Sequence, residues 1–568
     1  MKKKSFLKQI GKDFKFVGTT LMIAASVLLG HKALVLKDYA PQNQIKEIAN
    51  GLDCDLDYFE FNSFKKAAAL EHNGDEPIYI SFSDEMTDIQ KETVTQTLDY
   101  MFKIVGQIND NYQYEIVDQS TAKKKNLLGK TVINYEVAED VSSSSASTIG
   151  NVQATATSSF DPISVMIGKP IIPRATITLD NKDWADGDSG FSVYLHELYH
   201  TFGVRDIYLS DSDVNKEYNN TFINNAIDNF NYLSPNDFKC LVSVYSEKMN
   251  EDELKEHISQ YKQICEEYES FYYTKLVEHL KNEQVENYNL VNQDSPVEKD
   301  TYFKDIGEDF TICQIKTGKR YKSEGLGQVS VDTYIIKVKD GRYYFTVKDL
   351  SGNIICQETG IADYVDGAVV LKDLNLDTTL NPYRNGLPEN GGIYNPVVFL
   401  NQNGEYVFTE MFSQTNDNFD AISEGLEDDF KNAYFKQEVQ TIKEKHYNSV
   451  WDKDVEIDEY FKNIESKNLS LTYEIKVGSD GKGKFKYFID VKDGKYNHTQ
   501  TDETGKILNQ CKGEAIFVDG CLVYFTGDKE PQVIVLDKNG QYTLCQKGKV
   551  SFNRLTEIQM EEENENTK

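Results

Sequence analysis

Residues Arg174–Asp180 read Arg-Ala-Thr-Ile-Thr-Leu-Asp, an alternation of apolar and polar positions with the period of two that marks a half-buried strand. A turn rich in Gly, Asp and Ser follows. Beyond it Phe191, Leu195, Leu198 and Phe202 recur at steps of four, three and four, which places them on one face of a helix. Upstream, residues 77–82 alternate as a strand, and Thr87-Asp88-Ile89-Gln90 forms a capping box. It opens a helix with Ile89, Leu98, Met101 and Val105 facing inward. Residues 114–117 and 131–135 are predicted as further strands, so 46–250 read as a mixed α/β unit. Ser142 to Ser145 and the small polar residues after them read as an exposed loop. From Leu254 the steps of four and three through Ile258, Tyr261, Cys265, Tyr268 and Tyr272 predict an amphipathic helix. It is read as a helical linker over 251–300, with a coiled-coil partner helix as the alternative.

Beyond residue 300 the pattern repeats. Val338-Lys339-Asp340-Gly341 recurs as Val491-Lys492-Asp493-Gly494, and Val365-Asp366-Gly367 as Val518-Asp519-Gly520, both at an offset of 153. Ser351-Gly352 and Thr504-Gly505 keep that offset. Asp-Gly turns between alternating segments predict two antiparallel β modules, 301–415 and 458–555, with a helical linker over 416–457. An acidic tail, 556–568, closes the chain.

Lys2, Lys3, Lys4, Lys8, Lys12 and Lys15 precede an apolar stretch, the arrangement of an export signal, and 1–45 are assigned to it. Residues 16–36 approach the length of a membrane span, so the segment is either cleaved or retained as an N-terminal membrane anchor. Everything after it is expected outside the membrane, extracellular or at the cell surface. A formal net charge of −31 excludes nucleic acid as a partner, since such a site requires a basic face. The eight cysteines form no Cys-x-x-Cys pair and carry no metal signature. Export permits disulfides, with Cys511 and Cys521 a candidate pair across neighbouring strands, and buried thiols are the alternative.

The most informative chemistry is the run His196-Glu197-Leu198-Tyr199-His200-Thr201-Phe202-Gly203-Val204-Arg205-Asp206. Positions i and i+4 of a helix share a face, so His196 and His200 can offer two imidazoles to one Zn²⁺. Glu197 projects about 100° away, which suits a general base rather than a third ligand. Gly203 can adopt positive φ and end the helix in a sharp turn, bringing Asp206 under the metal. The run resembles the metzincin zinc signature, with Asp in place of the last His. The strand Arg174–Asp180, Trp184, and the motif helix follow each other as in the matrixin branch, and Asn231-Tyr232-Leu233-Ser234-Pro235-Asn236-Asp237-Phe238 is similar to the start of that branch's last helix. Ile227 stands where the family's Met-turn has methionine. The resemblance implies a twisted sheet above an active-site helix, a short subdomain behind the cleft, and zinc endopeptidase activity on protein or peptide substrates. No cysteine-switch prosegment is recognisable, although Cys54 can in principle cap the metal.

The expected architecture is therefore a multidomain α+β chain: an export or anchor helix, a metzincin-like α/β catalytic domain, a helical linker and two repeated antiparallel β modules. The β modules offer a surface for a cell-surface or host ligand. Two alternatives stand beside the main reading. One is a thermolysin-like protease taking Glu217 or Glu247 as third ligand; the other is a noncatalytic surface-binding protein with a structural or vestigial zinc site.

Overall fold

In a computed structural model the described residues are 40, 42–54, 69–70, 76–110, 112–138, 154–159, 171–180, 188–203, 230, 232–320, 328–376, 392–409, 417–450, 455–477, 483–525, 531–546 and 553–557. The chain divides into two compact units at Leu280/Lys281.

In the first unit, helix α1 (Gln42–Gly51) precedes strand β1 (Ile78–Phe82), helix α2 (Asp88–Ile108), β2 (Tyr114–Val117), α3 (Gln119–Leu127), β3 (Val132–Ala138), β4 (Ala154–Ser159) and β5 (Arg174–Asp180). Helices α4 (Asp188–Thr201) and α5 (Pro235–Tyr245) follow, and the long α6 (Glu251–Val291) begins in this unit and has its last residues, from Lys281, in the second. The strands form one sheet in the order β2-β1-β3-β5-β4, with every pairing parallel except β5 with β4. Parallel strands need covered faces, and Ile78, Ile80, Ile133, Ile177 and Leu179 are each at most 1% exposed.

Thr87 and Gln90 do form the capping box of α2, through bonds of 3.1 and 3.0 Å. Leu98, Met101 and Val105 are fully buried, but Ile89 is 51% exposed. The inward stripe runs Val94, Leu98, Met101, Val105 and leaves Ile89, in the first turn, on the solvent side. Strand β4 was not legible in the sequence, because Ala-Thr-Ala-Thr-Ser-Ser has no large apolar residue to reveal a period. On α6 the stripe Leu254, Tyr261, Cys265, Tyr268 and Tyr272 is buried. Tyr268 stacks on Phe238 of α5 at 4.1 Å, so this part of the helix is packed into the first unit.

The second unit contains two antiparallel, barrel-like sheets. The first uses β6 (Phe303–Lys304), β7 (Phe310–Arg320), β8 (Gln328–Lys339), β9 (Arg342–Lys348), β10 (Ile354–Val365), β11 (Ala368–Leu371), β12 (Val397–Asn401), β13 (Tyr406–Thr409) and β14 (Asp417–Ala421). Its order is β11-β10-β9-β8-β7-β14-β13-β12-β6, and β11 also pairs with β12, which closes the ring. Helix α7 (Glu427–Ser449) leads to the second sheet, β15 (Phe461–Lys462), β16 (Leu469–Val477), β17 (Gly483–Lys492), β18 (Lys495–Thr501), β19 (Ile507–Glu514), β20 (Ile516–Val518), β21 (Cys521–Phe525), β22 (Pro531–Asp537), β23 (Tyr542–Gln546) and β24 (Asn553–Glu557). Its order is β19-β18-β17-β16-β24-β23-β22-β21-β20, the order of the first sheet strand for strand, with β15 on β22. Here β19 and β20 stand for the single strand β10, interrupted at Ala515, and the ring closes through that residue.

The Asp-Gly turns adopt the left-handed backbone at both central residues: φ is 46° and 74° at Asp366 and Gly367, and 50° and 75° at Asp519 and Gly520. That conformation matches the twist of tight hairpins. Cys511 and Cys521 are both free thiols. They cannot pair, because Cys511 packs against the interior cluster of Leu471, Ile489 and Tyr524, whereas Cys521 joins the outer cluster with Val439 and Ile442 of α7. Among the described residues no helix is long and apolar enough to cross a membrane. The expected export segment lies outside them, apart from its last few residues, as do Ser142 to Ser145 and the acidic tail apart from residues 556–557.

Candidate metal centre

Helix α4 carries the motif, and its apolar face fixes the direction of the rest. Tyr194, Leu195, Leu198, Tyr199 and Phe202 are at most 3% exposed, and the helix packs along α2 and against β4. Phe202 meets Phe102 of α2 edge to face, at 5.6 Å between ring centroids. With that face locked inward, His196 and His200 are left half-buried one turn apart. Their Nε2 atoms lie 3.1 Å from each other, with the rings 86° apart. Glu197 is 8% exposed, and its carboxylate lies with the two imidazole nitrogens in one group whose donor atoms are all within 4.8 Å.

This arrangement can be tested against the metal it suggests. Two nitrogens each about 2.0–2.1 Å from a tetrahedral zinc stand about 3.3 Å apart. The observed separation is within a few tenths of an ångström of that, so the residues present fit a zinc ion or a similar divalent cation. Gly203 has φ 96°, and its amide donates to the carbonyl of His200, so the helix ends in the predicted left-handed turn. Asp206 lies outside the described residues, and so do Glu217, Ile227 and Trp184. Glu247 is described and does not belong to the His196, Glu197, His200 group. Its backbone carbonyl instead accepts from Gln44 Nε2 at 2.6 Å. Cys54 is also absent from that group, and its sulfur faces Cys240.

The sequence reading missed the anchors behind the helix. Tyr199 donates its hydroxyl to the carbonyl of Asp237 at 3.1 Å, and Tyr245 donates to the carbonyl of Phe202 at 3.1 Å, at the last turn of α4. Asp237 is fully buried, and its Oδ2 accepts from the amide and hydroxyl of Ser234 at 3.0 and 2.7 Å. The Ser234-Pro235-Asn236-Asp237 cap was visible as a helix start, but its reach to Tyr199 is a tertiary contact with no local signal. Tyr100 of α2 accepts from the amide of Leu233 at 3.0 Å, and Tyr268 donates to the carbonyl of Leu233 at 2.8 Å. Burial raises both phenols well above their ordinary range, so they serve as neutral hydrogen-bonding groups. Tyr232 packs its ring against Tyr100, Phe230 and Phe271.

No family model matches the chain, and no curated protein matches it. Among solved structures it is similar to the DNA polymerase III subunit beta from Pseudomonas aeruginosa, at 6% identity over 45% of this chain and 58% of that one, with a TM-score of 0.09. It is also similar to a Synechocystis apocarotenoid oxygenase mutant, at 10% identity over 44% and 61% of the two chains, with a TM-score of 0.10. The chain thus spans about three-fifths of the length of the solved chains it matches, and likenesses this weak carry no argument about its function.

Proposed function

We propose that the chain is an exported, zinc-dependent endopeptidase of metzincin type. The observation that carries the proposal is the convergence of His196 and His200 Nε2 to 3.1 Å with the Glu197 carboxylate beside them, on a helix whose opposite face is fixed in the core. His196 and His200 hold the metal, and Asp206 completes the set after the Gly203 turn. Zinc supplies a Lewis acid and makes water acidic near neutral pH. Glu197 accepts the proton of the attacking water and passes it to the departing amine, the role of a general base turned general acid. A three-ligand set leaves room for substrate, unlike the four protein ligands of a structural site.

The sheet supports the same reading. Strand β4 ends the sheet order beside α4, with β5 as its one neighbour, so among the described residues its other edge is unpaired. Such an edge can take an extended peptide by main-chain hydrogen bonding, which places a substrate's backbone alongside the motif helix.

The test is hydrolysis of a broad peptide library by the full chain, with and without chelator, and by Glu197→Gln. Cleavage should require metal, and Glu197→Gln should lose at least about a hundredfold in rate. If the zinc-loaded chain cuts no peptide, the proposal fails and a noncatalytic surface-binding role for the β modules takes its place; cleavage equally fast in chelator would overturn the metal-dependent mechanism.

A further inference from the structure

We infer that Cys54 and Cys240 form a disulfide that fastens the segment after α1 to helix α5. Their sulfurs lie 2.6 Å apart although 186 positions separate them in sequence. A disulfide bond is about 2.05 Å long, so the pair is about half an ångström from bonding distance.

The approach is built into the backbone on both sides. Helix α1 ends with Asp53 in the left-handed conformation, φ 55°, and the amide of Cys54 returns to the carbonyl of Ala49 at 2.8 Å. That turn fixes the direction in which the Cys54 side chain leaves the helix. Gln44 then ties α1 to the chain just beyond α5, its Nε2 donating to the Glu247 carbonyl at 2.6 Å and its Oε1 accepting from the Met249 amide at 3.0 Å. Ile45, Ile48, Ala49 and Leu52 are buried, so the helix is docked through its apolar face before any bond forms. Cys240 is 2% exposed on α5, the helix that also carries Asp237 and Tyr245.

The two sulfurs differ in access. Cys54 is half-buried and Cys240 buried, so an oxidant meets Cys54 first. The Cys54 thiolate attacks a disulfide oxidant such as oxidised glutathione, releases one glutathione thiol and forms a mixed disulfide. The Cys240 thiolate then displaces the second glutathione, leaving the Cys54–Cys240 bond and two reduced glutathione thiols. Cys265 of α6 lies close enough to Cys54 to interact with it electrostatically, but burial pushes its thiol up to about 12. The sulfur that faces Cys54 at 2.6 Å is that of Cys240, and this geometry selects the partner.

The experiment alkylates the folded full chain after exposure to oxidised glutathione, digests it without reductant and reads the linked peptides by mass. The expected result is one linked pair, Cys54 with Cys240, with Cys265 alkylated once the chain is denatured. In parallel, the oxidised wild type should melt about 5–15 °C above the reduced protein, because a long loop is closed in the unfolded chain. Cys54→Ser should melt at one temperature in either buffer, and its position in a half-buried turn keeps that variant foldable where Cys240→Ser fails. A Cys54–Cys265 linkage, both cysteines alkylated after oxidation, or an oxidation-dependent melting shift that persists in Cys54→Ser would each overturn the assignment.

Discussion

Lys443 of α7 places its Nζ 2.8 Å from the carbonyl of Asp519 and 2.9 Å from its Oδ2, gripping the Asp519-Gly520 turn from the helix that precedes the sheet. In the first sheet Lys281 of α6 holds Asp366 in the same way, through the carbonyl at 2.5 Å and Oδ2 at 3.0 Å. The turn is also held from below. Gly367 accepts from the Ile306 amide at 2.8 Å, and Gly520 from the Ile464 amide at 2.9 Å.

Gly367→Ala and Gly520→Ala should therefore each destabilise the second unit by about 2 kcal/mol or more. Both glycines have positive φ, and an added Cβ would overlap the side chain of Asp305 in one case and of Asn463 in the other, close to backbone as well. Gly404→Ala, with φ 82° but open space around it, should cost less. Denaturant midpoints of the three variants check the ranking.

His196→Ala and His200→Ala should each abolish stoichiometric zinc, as measured by elemental analysis after dialysis. Zinc retained at full occupancy in either variant would remove the site. Asp206→Ala should weaken binding substantially, whereas Glu247→Ala should retain metal, since Glu247 lies outside the imidazole and carboxylate group. The opposite result favours the thermolysin-like arrangement.

Asp237→Ala should destabilise the first unit by about 2–3 kcal/mol, because it strands the buried amide and hydroxyl of Ser234 and removes one partner of Tyr199. Ser234→Ala should cost about 1 kcal/mol, the ordinary value of a helix cap. Urea unfolding of both variants separates the two magnitudes.

His498 gives the second barrel a pH dependence with a definite sign. Burial among Tyr473, Tyr487 and Tyr524 lowers it to about 4. An unfolded histidine takes up its proton near pH 6.5, so this contribution is complete above that pH and is lost as pH falls towards 4. The slope is at most about 1.4 kcal/mol per pH unit. His498→Gln should flatten the fall in melting temperature between pH 6.5 and 4; an unchanged profile would show that other groups set it.

What could be read in the sequence was local. The Thr87 box, the Gly203 turn, the Asp-Gly hairpins and the i, i+4 histidines each state their geometry within a few residues, and each appears as predicted. What escaped depends on distant partners. Strand β4 has only small side chains and is a strand because β5 pairs with it. Ring closure rests on Val369 opposite Val398, and the Cys54 approach to Cys240 rests on how α1 docks. Ile89 was misassigned because an apolar residue in a first turn looks like core whichever way it points.

Both eight-stranded rings close on themselves, so among the described residues their main strands present no open side. A peptidase that takes extended chains requires a stretch that can be peeled free and laid flat. Among the described residues the ring strands offer none without unfolding, so limited proteolysis of the folded chain should leave those strands intact.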